Sequence, residues 1–391
     1  MTNAAASFAA CPAAAAGPSV ARLALTAFRS YAAAALETGP QPVVLTGPNG
    51  AGKTNLLEAL SFLAPGRGLR RAKLSEIDRF GAAAPWALAI QLLTPDGTLL
   101  QIGTGRDAAS ESGERRVLRI DGMPVKSQAE LARTASLVWL TPQMDRLFVE
   151  GASLRRRFLD RLVLGFDPDH ATRLSAYERA MRERLRLLRE TGPDASWLKA
   201  LEEEMAAHGT AIAAARREAA ARLDRACAAA IGPFPQAGLA LEGEVERWLD
   251  DMPALAVEEA LRQRLAAERR ADAESGTTTF GPHRSDLLVH HLGTGIKAAL
   301  CSTGEQKALL LAILLAQARL LAAQRGAPPI MLLDEVAAHL DAERRAALFD
   351  EILALRAQAW LTGTDPALFS PLRRQAQFFT VADARISPMD V

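Results

Sequence analysis

Apolar and polar positions along the chain fall into three regimes. In roughly the first 150 residues, and again from residue 277 onward, short apolar runs of strand length alternate with turn residues. Between them, from residue 153 to about 230, apolar positions recur at helical spacing in a stretch rich in Ala, Leu, Arg and Glu. The first regime predicts strands at 20–26, 43–45, 86–93, 99–103, 117–120 and 136–140. Pro95-Asp96-Gly97 and Asp121-Gly122 mark tight turns, so 86–125 is expected to form an antiparallel sheet. The last regime predicts strands at 287–291, 330–333 and 359–362, with a long apolar helix to about Leu321 and another to Leu355.

In the middle regime Gly192-Pro193 breaks the pattern into at least two long helices, expected to pack antiparallel to share an apolar seam. A further helical piece, 257–270, follows a stretch around Pro233-Phe234-Pro235 that reads as irregular. The expected architecture is α/β. A parallel core sheet and an antiparallel β subdomain occupy 20–150 and 276–391, with a short helical arm, 151–275, inserted between them. Residues 1–19, alanine-rich and interrupted by Cys11-Pro12 and Gly17-Pro18, read as a disordered extension without the basic and leucine-rich parts of a signal peptide.

The stretch that carries chemistry is Gly47-Pro48-Asn49-Gly50-Ala51-Gly52-Lys53-Thr54, between an apolar strand and the helical Asn55-Leu56-Leu57-Glu58. It fits G-x-x-x-x-G-K-[ST], whose glycines let backbone N–H groups converge on an anion at a helix N-terminus. Lys53 is expected to reach the β- and γ-phosphates of a nucleoside triphosphate and the Thr54 hydroxyl to ligate Mg²⁺. The apolar run at 330–333 ends in Asp334-Glu335. Ligands of open parallel sheets bind at such strand ends, so Asp334 is a candidate Mg²⁺ ligand and Glu335 a candidate base for the attacking water. Ser302-Thr303-Gly304-Glu305-Gln306-Lys307 opens the long apolar helix and places a hydroxyl and free N–H groups at a second positive helix end.

Charge and composition narrow the partners. Lys and Arg number 46 against 45 Asp and Glu, so nucleic-acid binding must come from local patches. The loop Pro65-Gly66-Arg67-Gly68-Leu69-Arg70-Arg71-Ala72-Lys73 reads either as a solvated turn or as a DNA-phosphate contact through Arg67, Arg70, Arg71 and Lys73. Arg155-Arg156-Arg157 and the series Arg182, Arg184, Arg186, Arg189 are either a DNA-facing stripe or charged helix faces balanced by Glu. Cys11, Cys227 and Cys301 show neither metal nor disulfide spacing, which fits a reducing cytoplasm, and no apolar run is expected to approach the length of a membrane span.

The chain carries Phe28-Arg29-Ser30-Tyr31, Gly47 to Asn55, Thr141-Pro142-Gln143 and Arg156-Arg157-Phe158-Leu159-Asp160. Gly281-Pro282-His283-Arg284-Ser285-Asp286, Ser302 to Lys307 and Leu332-Leu333-Asp334-Glu335 follow. Together, and in this order, these stretches resemble the RecF family of ABC/SMC-like ATPases. The resemblance implies a P-loop ABC-type ATPase head, ATP and Mg²⁺ as cofactors, and a homodimer formed on ATP binding with two nucleotides sandwiched between heads. It also implies binding to duplex DNA and single-strand/double-strand junctions. The implied partners are RecO and RecR, with RecA loaded indirectly in repair and the SOS response, in a cytoplasmic, nucleoid-associated setting. Hydrolysis would be slow, a switch rather than a motor.

By the same resemblance, Gly47, Pro48, Asn49, Gly50, Ala51, Gly52, Lys53, Thr54 and Asn55 hold nucleotide. Ser302, Gly304 and Glu305 reach the partner's nucleotide, and Asp341 lies in the loop crossing the dimer seam. Gln143 matches the loop that senses Mg²⁺ and γ-phosphate, although the family commonly has Glu there, and Asp-Asp at Ser285-Asp286. Where transporter ATPases carry a switch histidine, this chain has Thr362-Gly363-Thr364-Asp365. That difference and the large helical insertion argue against the alternative of a transporter's energy subunit. The insertion is too short for the coiled coil of an SMC tether, and Glu335 argues against a nucleotide-binding module without hydrolysis.

Overall fold

The computed structural model describes residues 17–109, 114–190, 194–230 and 232–389. Most of the alanine-rich extension and the Gly192-Pro193 break lie outside them.

The core is a six-stranded sheet in the order Arg385–Pro388, Gln377–Ala382, Val43–Thr46, Ala359–Gly363, Ile330–Leu333, Leu137–Leu140. All neighbours are parallel except the outermost pair, Arg385–Pro388 with Gln377–Ala382. Val43–Thr46, Ile330–Leu333 and Leu137–Leu140 are buried at every position, as strands covered on both faces must be. Side chains alternate across the sheet, so each strand feeds two cores. Val44, Val138, Leu140, Met331, Leu333 and Leu361 face one core, together with the long helix Thr303–Arg325 and the helix Ala152–Phe166. Val43, Leu45, Leu137, Trp139, Ile330, Leu332 and Trp360 face the other, together with the helix Lys53–Ser61. The phosphate-loop helix and the Ser302 helix therefore cover opposite faces of one sheet.

The second sheet is antiparallel, in the order Tyr31–Glu37, Ser19–Phe28, Ala87–Leu93, Leu99–Arg106, Arg116–Ile120, Met123–Pro124. It packs over the phosphate-loop helix through Leu23, Leu25, Phe28, Leu88 and Ile90. The strand Tyr31–Glu37 is not apparent from the sequence because its alanines lack the alternation that marks a half-buried strand. The stretch after Pro233-Phe234-Pro235 also differs from expectation. Ala237–Glu242 is a strand, pairing antiparallel with Asp286–His291, which in turn pairs with Ile296–Lys297. Thr303–Arg325 differs as well: it has the length and composition of a membrane-crossing helix, beyond what its sequence suggested. Every residue from Gln306 to Ala318 is nonetheless buried, so its apolarity is spent on the protein core.

The stretch expected to form the arm holds the helices Ala152–Phe166, His170–Leu188 and the 34-residue Ala195–Ala228, followed by Glu244–Asp251, Ala254–Ala267 and Arg269–Ser275. Arg179 meets Glu204, Arg184 meets Glu202 and Tyr177 lies on Gly209, so the two long helices run antiparallel. The arginine series on His170–Leu188 is internally balanced. Arg182 pairs with Glu178, and Arg186 with Glu183 and Glu190, while Arg189 donates to the Gly276 carbonyl. Arg184 is fully buried, 3.0 Å from Glu202 and 2.6 Å from Asp272, and donates to the Leu265 carbonyl.

The Gly281–Asp286 stretch ties arm to head. Arg216 donates to the Pro282 carbonyl, Arg156 to the Ser285 carbonyl, and Arg155 forks onto Asp286. His283 Nδ1 lies 2.8 Å from the Tyr177 hydroxyl and Nε2 lies 2.9 Å from the Thr278 carbonyl. Burial pulls His283 down to about 4, so at neutral pH it is an uncharged link, with Nε2 donating and Nδ1 accepting.

Removing one partner from a buried ion pair leaves an uncompensated charge. Arg184→Ala is therefore expected to cost about 3–5 kcal/mol in denaturant unfolding, whereas Arg186→Ala, on an exposed helix face, leaves it essentially unchanged.

Candidate nucleotide site

The loop from Gly47 to Gly52 leaves the C-terminal end of Val43–Thr46, in the middle of the core sheet. Two glycines are sterically required. Gly47 has φ +147°, and a Cβ there would lie 2.0 Å from the Val381 carbonyl oxygen. Gly52 has φ +111°, and a Cβ would lie 2.7 Å from the Tyr31 hydroxyl, which donates to the Gly52 carbonyl. Gly52 is also the N-cap of Lys53–Ser61 and offers no side chain to the first turn, which contains no acid. The helix's first N–H groups and its positive end are left for an anion.

Lys53 is 5% exposed, and its ammonium donates to the Gly47 and Pro48 carbonyls at 2.7 and 3.0 Å. It also lies 3.5 Å from the Glu335 carboxylate. Beside it the Thr54 hydroxyl donates to Asp334, 2.9 Å from Oδ1 and 3.1 Å from Oδ2. Asp334 is buried, and its Oδ1 also accepts from the Thr362 hydroxyl at 2.8 Å. That hydroxyl in turn accepts from the Glu335 N–H at 2.9 Å. Glu335 has φ +52°, a left-handed backbone uncommon for a non-glycine residue, which turns the chain sharply at the strand end. Thr54, Asp334, Thr362 and Glu335 form one hydrogen-bonded line that joins the start of the helix Lys53–Ser61 to two neighbouring strand ends.

The donor set fits Mg²⁺. It offers one hydroxyl and one carboxylate, hard oxygens 2.9 Å apart, beside a loop shaped for phosphates. Mg²⁺ is commonly held in this way, by one or two protein oxygens plus substrate phosphates and waters. Among the described residues there is no cluster of three or more His, Cys, Asp or Glu that would form an all-protein cage.

Gln143 lies exposed in the turn Pro142–Arg146, directly after Leu137–Leu140. Leu140 pairs with Leu333 and accepts from the Asp334 N–H, so this turn leaves the sheet beside the acids. Asp145 of the same turn lies 3.1 Å from the buried Lys307 ammonium, joining it to the helix of Ser302. Ser302 caps that helix. Its hydroxyl accepts from the Glu305 N–H, while Glu305 Oε2 takes the Ser302 N–H and hydroxyl at 2.8 Å each. These hydrogen bonds hold the Glu305 carboxyl below its ordinary pKa. Gly304 has open space around it, and Asp341, exposed, caps the helix Ala342–Leu355 by accepting from the Arg344 N–H.

Around the loop, Asn55 donates to Ser30 and accepts from Arg70. Glu58, fully buried one turn later, holds both Arg29 and Arg70. Of the basic residues in 65–73, Arg70 thus turns inward, while Arg67, Arg71 and Lys73 are exposed. Thr362 is not among the site residues expected from the sequence. Asp365 caps the short turn after the strand by accepting from the Ala367 N–H. The signal was a lone hydroxyl at the end of the otherwise apolar run 359–362.

Known proteins place this chain in a family. A family model described as the RecF/RecN/SMC N terminal domain matches residues 19–386. The DNA replication and repair protein RecF of Mesorhizobium japonicum is 50% identical over 375 residues, covering 95% of this chain and 98% of its own. That of Rhizobium etli is 51% identical over 370 residues, covering 94% and 98%. A structure of the recombination mediator protein RecF-ATPrS in the RecFOR pathway superposes with a TM-score of 0.83 at 22% identity, covering 96% of this chain and all of that one. A Pyrococcus furiosus Smc head domain follows at TM-score 0.53 and 14% identity, covering 95% of this chain and 96% of its own. Fold, loop and relatives agree: the chain belongs to the RecF family of DNA replication and repair proteins and has the SMC-like ATPase head fold.

Proposed function

We propose that this chain is an ATP-gated DNA-binding switch of recombinational repair, acting as a dimer of heads with a nucleotide at each of two shared sites. The observation that carries the reading is the line from Thr54 through Asp334 and Thr362 to Glu335, with the Lys53 ammonium beside it. Lys53 is held by the Gly47 and Pro48 carbonyls and the Glu335 carboxylate, partners that a triphosphate would replace. The uncapped N–H groups of the first turn and residues 47–55 would bind the phosphates. Thr54 and Asp334 would hold Mg²⁺, which neutralises phosphate charge as it builds on the leaving group. Glu335, released from Lys53, would accept the proton of the attacking water, while Gln143 lies in the turn beside the acids.

Ser302, Gly304 and Glu305 open a helix on the face of the sheet opposite the phosphate-loop helix. We assign them, with Asp341, to the nucleotide of a second copy. The finer biology follows the family. DNA gaps and single-strand/double-strand junctions would be the ligand, RecO and RecR the partners, and RecA loading and the SOS response the outcome. The residue divisions 20–150 and 276–391 for the head and 151–275 for the arm, and a cytoplasmic, nucleoid-associated location, belong to the same proposal.

The test is fluorescence anisotropy of a labelled gapped duplex titrated with the full chain, with and without Mg-ATP. ATP is expected to tighten binding. Lys53→Arg should lose both ATP binding and the gain, whereas Ser302→Arg should bind ATP and still lose the gain. Binding indifferent to ATP and to both substitutions would reject the switch. Glu335→Gln is expected to bind ATP normally and to lower turnover by at least about 100-fold, the scale of a lost general base. Measured phosphate release from Glu335→Gln equal to the unsubstituted chain would remove Glu335 from the chemistry.

A further inference from the structure

One buried hydroxyl serves both acids of the candidate site. Thr362 lies near the end of the strand Ala359–Gly363 and is fully buried. Its hydroxyl donates to Asp334 Oδ1 at 2.8 Å and accepts from the Glu335 N–H at 2.9 Å. A hydroxyl has one hydrogen to give and lone pairs to receive with, and here both capacities go to the acid pair. Thr46, which ends the neighbouring strand Val43–Thr46, shows the contrast. Its hydroxyl is also buried, but it goes to the Phe379 backbone carbonyl, at 3.4 Å.

Strand alternation puts this hydroxyl where it is. Leu361 belongs to the core of the Thr303–Arg325 helix and Trp360 to that of the phosphate-loop helix, so Thr362 falls on the phosphate-loop side. By the same alternation Asp334 falls on the side of Leu332, which is again the phosphate-loop side. A β-branched side chain has few rotamers in a strand, so the backbone itself aims the Thr362 hydroxyl. Asp334 Oδ1 receives Thr362 and Thr54 together, whereas Oδ2 receives only Thr54 among the described residues, at 3.1 Å. The carboxylate is thus pinned through Oδ1, and Oδ2 is the oxygen left for a cation.

The other half of the contact aims Glu335. The parallel ladder between Ile330–Leu333 and Ala359–Gly363 pairs Leu333 with Leu361 and goes no further. Met331 donates its N–H to the Gln358 carbonyl, and hydrogen bonds of a parallel ladder recur every second residue. That rhythm would bring the Glu335 N–H to the Thr362 carbonyl, but it bonds the Thr362 hydroxyl instead. The side chain replaces the backbone and lets Glu335 leave the sheet. Continued as a strand, Glu335 would face the side of Leu333, away from the phosphate loop. With φ +52° its carboxylate lies 3.5 Å from the Lys53 ammonium. A left-handed backbone at a non-glycine residue persists only where its surroundings hold it, and the Thr362 hydroxyl holds it here.

We propose that Thr362 is a positioning residue for ATP hydrolysis. Its one hydroxyl sets which Asp334 oxygen is offered to Mg²⁺ and holds the turn that brings Glu335 toward the phosphates. The inference rests on the nucleotide reading above and deepens it. Thr362 acts through the two acids, whereas the phosphates are bound by residues 47–55. Its loss should therefore leave nucleotide binding intact while loosening the ion and slowing the chemistry.

The experiment compares Thr362→Ser, Thr362→Ala and Thr362→Val with the unsubstituted full chain by two readouts. The first, which needs no turnover, is the affinity of a fluorescent ATP analogue in EDTA and across a Mg²⁺ titration. The second is phosphate release at saturating ATP and Mg²⁺. Thr362→Ala and Thr362→Val should bind the analogue in EDTA as the unsubstituted chain does. They should raise the half-saturating Mg²⁺ and lower turnover, each by about 10- to 100-fold, the range for a lost partner of a metal ligand. Thr362→Ser, which keeps the hydroxyl, should recover most of both losses. Serine and alanine differ by that hydroxyl alone, so the pair decides the matter even if Thr362→Val does not fold. Serine no better than alanine, Mg²⁺ dependence and turnover unaltered in Thr362→Ala, or affinity lost equally with and without Mg²⁺ would overturn the positioning role and leave the nucleotide reading intact. An unsubstituted chain whose affinity and turnover ignore Mg²⁺ would overturn both.

Discussion

A buried carboxylate must be satisfied, and the way Asp334 is satisfied organises the centre of this molecule. Its backbone is held by Leu140 on one neighbouring strand, and Thr362 on the other neighbour and Thr54 from the phosphate-loop helix share its carboxylate. Those contacts fix the relative positions of four segments that are far apart in sequence. They hold only if the parallel strands keep their register, because a one-residue slip would turn Thr362 to the opposite face. The alternating strands, the glycines that only a Cβ-free residue can occupy and the left-handed turn at Glu335 all serve that register.

The same sheet separates the starts of the helices Lys53–Ser61 and Thr303–Arg325. The phosphate-loop helix packs with the antiparallel sheet on one face, and the Ser302 helix packs with the arm on the other. Within one chain, the Ser302 end is closed by its own Glu305 carboxylate. A phosphate arriving there competes with that carboxylate for the same two hydrogens, so the end is open only to a ligand that outbids it. Lys307 and Asp145 link this helix to the Gln143 turn, which leaves the sheet beside Asp334.

Much of this was legible in the sequence. The phosphate loop, the acid pair and the Ser-x-Gly-Glu-Gln helix start are local patterns whose geometry is set within a few residues. The core strands were legible because strands buried on both faces read as unbroken apolar runs. What escaped depends on partners distant in sequence. Ala237–Glu242 is a strand because Asp286–His291 lies beside it, and Tyr31–Glu37 because Ser19–Phe28 does. Thr362 matters only once three strand ends converge. The arginines were least legible of all: charge is visible in a sequence, but whether Arg70 meets Glu58 or Arg184 meets Asp272 is decided by tertiary packing.

The central claim is that each nucleotide is shared between the phosphate loop of one chain and the Ser302 helix end of another. The most direct measurement is ATP turnover by an equimolar mixture of Lys53→Ala and Ser302→Arg chains. Each variant alone has both shared sites broken, and a mixed dimer has one site with an intact loop and an intact signature. The account predicts negligible turnover from either variant and recovery of part of the original turnover on mixing. Full activity of Ser302→Arg alone, or a mixture as inactive as its components, would contradict it.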